Sequence, residues 1–264
     1  MSYSYKLGVI GCGNMATAIL NGALSSLLKP SDVFAYDSDG VKATLINKNY
    51  GVKIAESNAD VVKNCEYVLF AVKPQSVGTL DIADIKINCL ISIMAGVKIS
   101  TLRERFNVDS VVRIMPNTPC SVGYGMCALT YCNASEEQKN FVTSLFQSTG
   151  ETIELSEDKF DAVTAVSGSG PAYVYYFIEA MAKGGVKEGL TYEQSKKLAV
   201  QTMKGAAFLA EKSDTELSEL IEKVCSKGGT TIEAVDYLKE TDVEGKIVEA
   251  VSRCAEKSRV LGRK

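Results

Sequence analysis

From its start to about residue 155 the chain alternates short, continuous apolar runs with longer stretches of helical periodicity. The runs "KLGVIG", "VFAYD", "YVLFAVKP", "CLISIMAG" and "SVVRIMPN" are rich in β-branched and aliphatic residues. That pattern suits strands buried on both faces of a parallel sheet. Ala16–Ser26 and Gly40–Asn49 read as helices between them, so the spacing predicts a doubly wound α/β arrangement. "GMCALTYC" and "ETIEL" read as final strands flanking a helix from Glu136 to Ser148.

After Asp158 the strand pattern stops. Residues 171–188, 191–212, 214–224, 230–240 and 243–261 read as successive helices, with Thr191, Ser213 and Thr241-Asp242 as start signals and Gly189 as a stop. Several of them, "KLAVQTMKGAAFLA" among them, carry apolar residues on more than one face. A helix apolar all round must be buried, and a small helical domain has little interior to bury it in. The expectation is an oligomer interface made by the helical half.

Composition narrows the class. At 264 residues, 46% hydrophobic and 23% charged, the chain is that of a globular protein with room for a well-buried core. A net charge of −3 lacks the basic footprint of a nucleic-acid binder. No run reaches the roughly 18 apolar residues of a membrane span, and "MSYSYKLGVIGCG" passes straight into a strand without a signal-peptide pattern. The eight cysteines form no C-x-x-C pair and there is no histidine. No metal site and no histidine-based acid, base or triad is therefore expected, and the scattered cysteines fit a reducing, cytoplasmic setting.

The first candidate site is Gly11-Cys12-Gly13-Asn14-Met15-Ala16, of the form G-x-G-x-x-A, between the strand "KLGVI" and a helix. Gly11 permits the tight turn, Gly13 leaves room for a pyrophosphate, and Ala16 allows close strand–helix packing. The helix N-terminus adds free N–H groups and a positive dipole end. Asp37 lies just beyond the second strand, 24 positions after Gly13, where a carboxylate accepts from ribose hydroxyls and repels a 2′-phosphate. This favours NADH over NADPH. Lys73-Pro74, Ala95-Gly96 and Asn117-Thr118 end further strands toward the same crevice. The expected division is a Rossmann-type dinucleotide-binding domain over residues 1–157 and an all-α domain over 158–264.

Two further stretches go beyond simple capping. Ser167-Gly168-Ser169-Gly170-Pro171 opens a helix with more glycine than a cap needs, and Ser226-Lys227-Gly228-Gly229-Thr230-Thr231 puts a glycine pair before another. Together "GCGNMA", "AVKPQ", "RIMPNTP", "SGSGPAY" and "CSKGGTTIEAV" resemble the pyrroline-5-carboxylate reductase family, in the family's order and over essentially the whole chain.

The resemblance implies reduction of pyrroline-5-carboxylate to L-proline with NADH or NADPH, the last step of proline biosynthesis. It also implies a C-terminal helical domain that interlocks with a second subunit, as a homodimer or a larger ring of dimers. Ile10, Gly11, Cys12, Gly13, Asn14, Met15, Asp37, Asn58, Ala71, Val72, Lys73, Pro74, Ala95 and Gly96 would then hold the cofactor. Ser226, Gly228, Gly229, Thr230 and Thr231 would hold the substrate carboxylate, with the Thr231 hydroxyl near the ring nitrogen. Physically, a glycine pair before a helix makes a nest of N–H donors for an anion. Lys227 stands where the family usually has proline.

The residues leave two other readings open. A β-hydroxyacid dehydrogenase shares the two-domain plan but needs a catalytic lysine after a glycine-rich segment; Lys183 and Lys187 follow "SGSGPAY" outside that pattern. A nucleotide-sensing binding protein would keep the first half but has no need of a small-anion nest.

Overall fold

The computed structural model of the chain describes residues 3–82 and 84–262. Eight strands form one sheet: β1 (Tyr5–Ile10), β2 (Val33–Tyr36), β3 (Lys53–Ile54), β4 (Cys65–Phe70), β5 (Cys89–Ser92), β6 (Val111–Met115), β7 (Gly125–Cys132) and β8 (Gly150–Glu154). Their order is β3-β2-β1-β4-β5-β6-β7-β8. β1 pairs in parallel with both β2 and β4, placing Gly8 between Phe34 and Val68.

The parallel sheet expected from the apolar runs holds from β3 to β6. It then reverses: β7 is antiparallel to β6, with Val111 opposite Cys132, and parallel to β8. The cause is the short link between β6 and β7, one 3-10 turn at Thr118–Val122, too short for the crossover that a parallel neighbour requires. The two-residue β3 also escapes the apolar pattern, because Lys53 is exposed and Ile54 only half-buried.

Helices cover both faces of the sheet. Alternate strand residues face opposite ways, so Leu7, Val9, Tyr67, Leu69 and Ile91 pack on one side with α1 (Asn14–Ser26) and α5 (Glu136–Gln147). Ile10, Val68, Phe70 and Leu90 pack on the other with α3 (Asn58–Asn64) and α4 (Ile99–Arg105). α2 (Gly40–Tyr50) follows β2 and sends Ile46 into the first of these cores. α6 (Phe160–Val163) runs into a π-helical turn at Thr164–Gly168.

The chain forms two compact units, Met1–Ser169 with Cys254–Lys264, and Gly170–Arg253. The second is built from α7 (Gly170–Lys187), α8 (Tyr192–Lys212), α9 (Leu217–Val224), α10 (Thr230–Glu240) and the start of α11 (Val243–Leu261). Thr191 caps α8 through a reciprocal box with Gln194, and Gly189 stops α7 in the left-handed region at φ +96°. α9 starts later than the expected residue 214, because the Ser213 hydroxyl accepts from the Thr215 N–H at 3.1 Å and holds a turn there. Among the described residues no helix is long and apolar enough to cross a membrane.

Candidate active site

The C-terminal ends of the parallel strands β1 to β6 lie on one edge of the sheet, and the candidate cofactor residues lie at or just after those ends. Ile10 is buried at the end of β1. Gly11 turns the chain at φ +98°, and a Cβ there would sit 2.8 Å from the Ala71 carbonyl. Its N–H donates to the Tyr36 carbonyl at 2.8 Å, and the Ala71 N–H donates to the Ile10 carbonyl at 2.8 Å. The turn is thus laced to both neighbouring strands.

At Gly13 the surroundings open: a Cβ would meet nothing within 4 Å. α1 begins with no side-chain cap, and its first backbone bond runs from the Thr17 N–H to the Gly13 carbonyl at 2.9 Å. The N–H groups of Asn14 and Met15 therefore precede the helical ladder. Uncapped donors beside open space, at the positive end of a helix, fit a pyrophosphate.

Asp37 sits half-buried just past β2. One carboxylate oxygen accepts from the Cys12 N–H at 2.7 Å, and the other accepts from the Asp39 N–H at 2.8 Å. The strand-end acid and the glycine turn are one assembly. Burial first, and the Asp37 charge second, push the Cys12 thiol up to about 12. It stays neutral at physiological pH and adds no anion beside the turn.

Ala71 and Val72 leave β4, and exposed Lys73 precedes Pro74, which opens a 3-10 turn ending at Thr79. Asn58 is the first residue of α3, next to Ser57, whose hydroxyl accepts from the Asp60 N–H at 3.1 Å. Ala95 is exposed after β5, and Gly96 follows at φ +76°.

The candidate substrate residues belong to the second unit. The chain leaves α9 at Cys225, the Gly229 N–H donates to the Ser226 carbonyl at 2.9 Å, and Gly228 takes φ +71°. Gly229 is then the N-cap of α10, with no side chain capping it. Ser226, Lys227 and Thr230 are exposed and Thr231 is half-buried in the first turn. This is a second helix start with its donors left open.

Two contacts were not foreseen from sequence. Arg113, 6% exposed, pairs with Glu157 at 2.8 Å, its guanidinium 4.8 Å from the Phe160 ring centroid. Glu157 also accepts from the Ile99 N–H at 2.8 Å, which fixes the start of α4 close after Ala95-Gly96. The other contact joins Asn117 to Ser167, across 50 positions of sequence. An arginine inside the apolar run "VVRIM" was the one available signal for the first; the second had none.

A glycine turn opening onto an uncapped helix, at the switch point of a sheet ordered 3-2-1-4-5-6, defines a dinucleotide-binding protein of the Rossmann class. A family model for pyrroline-5-carboxylate reductase dimerisation matches residues 157–261, and one for coenzyme F420-dependent NADP oxidoreductases matches residues 6–96. Pyrroline-5-carboxylate reductase of Pisum sativum is 39% identical over 99% of this chain and 97% of its own length. The enzyme of that name from Escherichia coli (strain K12) is 35% identical over 98% of both. The crystal structure of Plasmodium falciparum pyrroline carboxylate reductase, which has NADP bound, superposes at a TM-score of 0.88 with 34% identity, covering 99% of this chain and all of that one. The chain belongs to the pyrroline-5-carboxylate reductase family.

Proposed function

We infer that the chain reduces pyrroline-5-carboxylate to L-proline, the closing step of proline biosynthesis, with a reduced nicotinamide dinucleotide. What carries this reading is the second uncapped helix start. A glycine pair with flanking hydroxyls suits the carboxylate of a small substrate, and neither a dehydrogenase lysine nor a sensor surface accounts for it.

The division of labour follows the residues. Ile10–Met15, Asn58, Ala71–Pro74 and Ala95-Gly96 hold the cofactor, with the N–H groups of Asn14 and Met15 on its pyrophosphate. Ser226, Gly228, Gly229 and Thr230 hold the substrate carboxylate, and the Thr231 hydroxyl, or a water it holds, hydrogen-bonds the ring nitrogen. When bound, the nicotinamide supplies the hydride. The protonated imine is already a strong electrophile, so the protein contributes orientation and close approach more than acid–base power. A threonine hydroxyl is a weak acid, and it suits that task of orientation better than proton donation.

Three finer assignments complete the proposal. Asp37 favours NADH over NADPH, because its carboxylate repels a 2′-phosphate. Cofactor work falls to residues 1–157, and substrate binding and assembly to 158–264. The chain works in the cytoplasm as a homodimer, or as a ring of such dimers, in which the exposed apolar faces of the helical unit are covered by a second copy. The test is a steady-state assay with pyrroline-5-carboxylate, comparing NADH and NADPH. Turnover with a higher kcat/KM for NADH is expected. No turnover despite tight NADH binding would return the chain to the sensor reading, and turnover of 3-hydroxy acids alone would make it a dehydrogenase.

A further inference from the structure

The "MPNTP" and "SGSGP" segments meet. Asn117, just past the end of β6, donates from Nδ2 to the Ser167 carbonyl and to the Ser167 hydroxyl, each at 3.3 Å. Its Oδ1 accepts from the Met126 N–H at 3.0 Å. A backbone N–H is only a donor, so it settles which end of the amide is oxygen and turns the NH2 toward Ser167.

The turn held in this way is unusual. Thr164–Gly168 is π-helical, closed by the Ser169 N–H on the Thr164 carbonyl at 2.8 Å, a form that recurs at functional sites. The Met115 side chain lies over Gly168, where a Cβ would come within 2.5 Å of its methyl. On the far side the Cys254 thiol donates to the Ser169 hydroxyl at 3.3 Å. Capping α7 needs none of this.

Position supplies the purpose. Met115 and Asn117 leave β6 on the same edge as Gly11, Ala71 and Ala95. In this strand order the adenosine half of a dinucleotide lies over β1 and β2, and the other half over β4 and beyond. β6 is three strands from β1, about 14 Å at about 4.8 Å per strand. The Ser167–Ser169 turn therefore stands at the nicotinamide end of the crevice.

We propose that Asn117 is a positioning residue for hydride transfer: it pins the Ser167–Ser169 turn to the end of β6, and the turn fixes the nicotinamide ring. The proposal rests on the reductase reading above, and one of its tests needs no substrate. Asn117→Asp keeps the acceptor for Met126 and replaces the donor with an oxygen that repels the Ser167 carbonyl. Expected is a kcat lowered about ten- to a hundredfold, the scale of a small misplacement of reacting groups. The dissociation constant for NADH should stay within about twofold, since the adenosine and pyrophosphate contacts dominate it. The primary deuterium isotope effect on kcat, with NADH labelled at the transferred position, should rise. Ser167→Ala removes one of the two bonds and should move the same quantities less; it decides the matter if Asn117→Asp does not fold. The emission of bound NADH reports the ring directly, and should change in Asn117→Asp even if wild-type protein fails to turn over pyrroline-5-carboxylate. Unchanged emission overturns the proposal, as does a kcat loss matched by equal losses in NADH affinity and thermal midpoint.

Discussion

Leu69 on β4 and Leu209 on α8 carry the same side chain to opposite ends: the first is 0% exposed and the second 61%. The contrast runs through both units. In the sheet unit the central strands bury most of their residues, down to Tyr67, Phe70 and Ile91. In the helical unit only Ala182, Ser195 and Ala199 are buried, while Tyr176, Phe208, Leu217 and Val224 stand at 61–75% exposure. Covering one such side chain is worth about 1.5–3 kcal/mol, so the second unit holds much of its folding energy in reserve for a partner. One half completes its own core, and the other is half of a core.

The sharpest way to break that contrast is a matched truncation. Leu69→Ala should lower unfolding free energy by about 2–5 kcal/mol, the usual cost of a buried leucine cavity. The loss should not depend on protein concentration, as urea titrations at two concentrations would show. Leu209→Glu should behave differently. Placing a charge in a dry interface should weaken self-association by at least about a hundredfold, or about 2.8 kcal/mol. Sedimentation velocity is the measurement, with activity falling alongside it on dilution. A stable, fully active monomer would mean that the exposed face is no interface.

The same contrast explains how much of the molecule is legible in its sequence. Most strands of the sheet unit are legible because they are continuous apolar runs, and β3 is not because two residues carry no period. The reversal at β7 does not show in the alternation, which records the face a side chain takes and never the direction of its strand. Its one trace is the link between "SVVRIMPN" and "GMCALTYC", too short for a parallel crossover. The helices are legible by period and caps, and their surplus apolar face shows as an interface. The partners in the Arg113–Glu157 and Asn117–Ser167 contacts cannot be read, since they lie 44 and 50 positions apart; the arginine inside "VVRIM" marks only that a partner is needed. For the candidate site, sequence supplies the glycine turn and strand-end acid as separate features. Structure adds that Asp37 and the Cys12 N–H are bonded, so the acid shapes the turn.

Chemistry sharpens the comparison further, because the proposed function gives each unit one half of the reaction. Thr231→Ala, in the helical unit, should lower kcat/KM by roughly ten- to a hundredfold. That range corresponds to the 1.5–3 kcal/mol of a hydrogen bond to a charged group. NADH affinity and the thermal midpoint should hold. An unchanged kcat/KM would remove Thr231 from the site and leave the loop a cap for α10.

The smallest effect tests the sheet unit alone. Asp37 has two duties, a bond to the Cys12 N–H at 2.7 Å and a negative charge where a ribose is expected. Asp37→Asn separates them. The amide oxygen can keep the bond to Cys12, while the Asp39 N–H, on an exposed residue, can turn to water. The charge is gone. Two like charges about 6 Å apart repel by about 3 kcal/mol at an effective dielectric of about 20, and salt reduces this at a partly exposed site. About 1.4 kcal/mol then remains as a working figure, so the ratio of kcat/KM for NADPH over NADH should rise about tenfold. Added salt should narrow the wild-type preference and leave the variant's ratio nearly flat, since only the first contains the repulsion. If wild type already prefers NADPH tenfold, or Asp37→Asn leaves the ratio unmoved, the carboxylate serves the glycine turn alone and cofactor choice is set elsewhere on the edge.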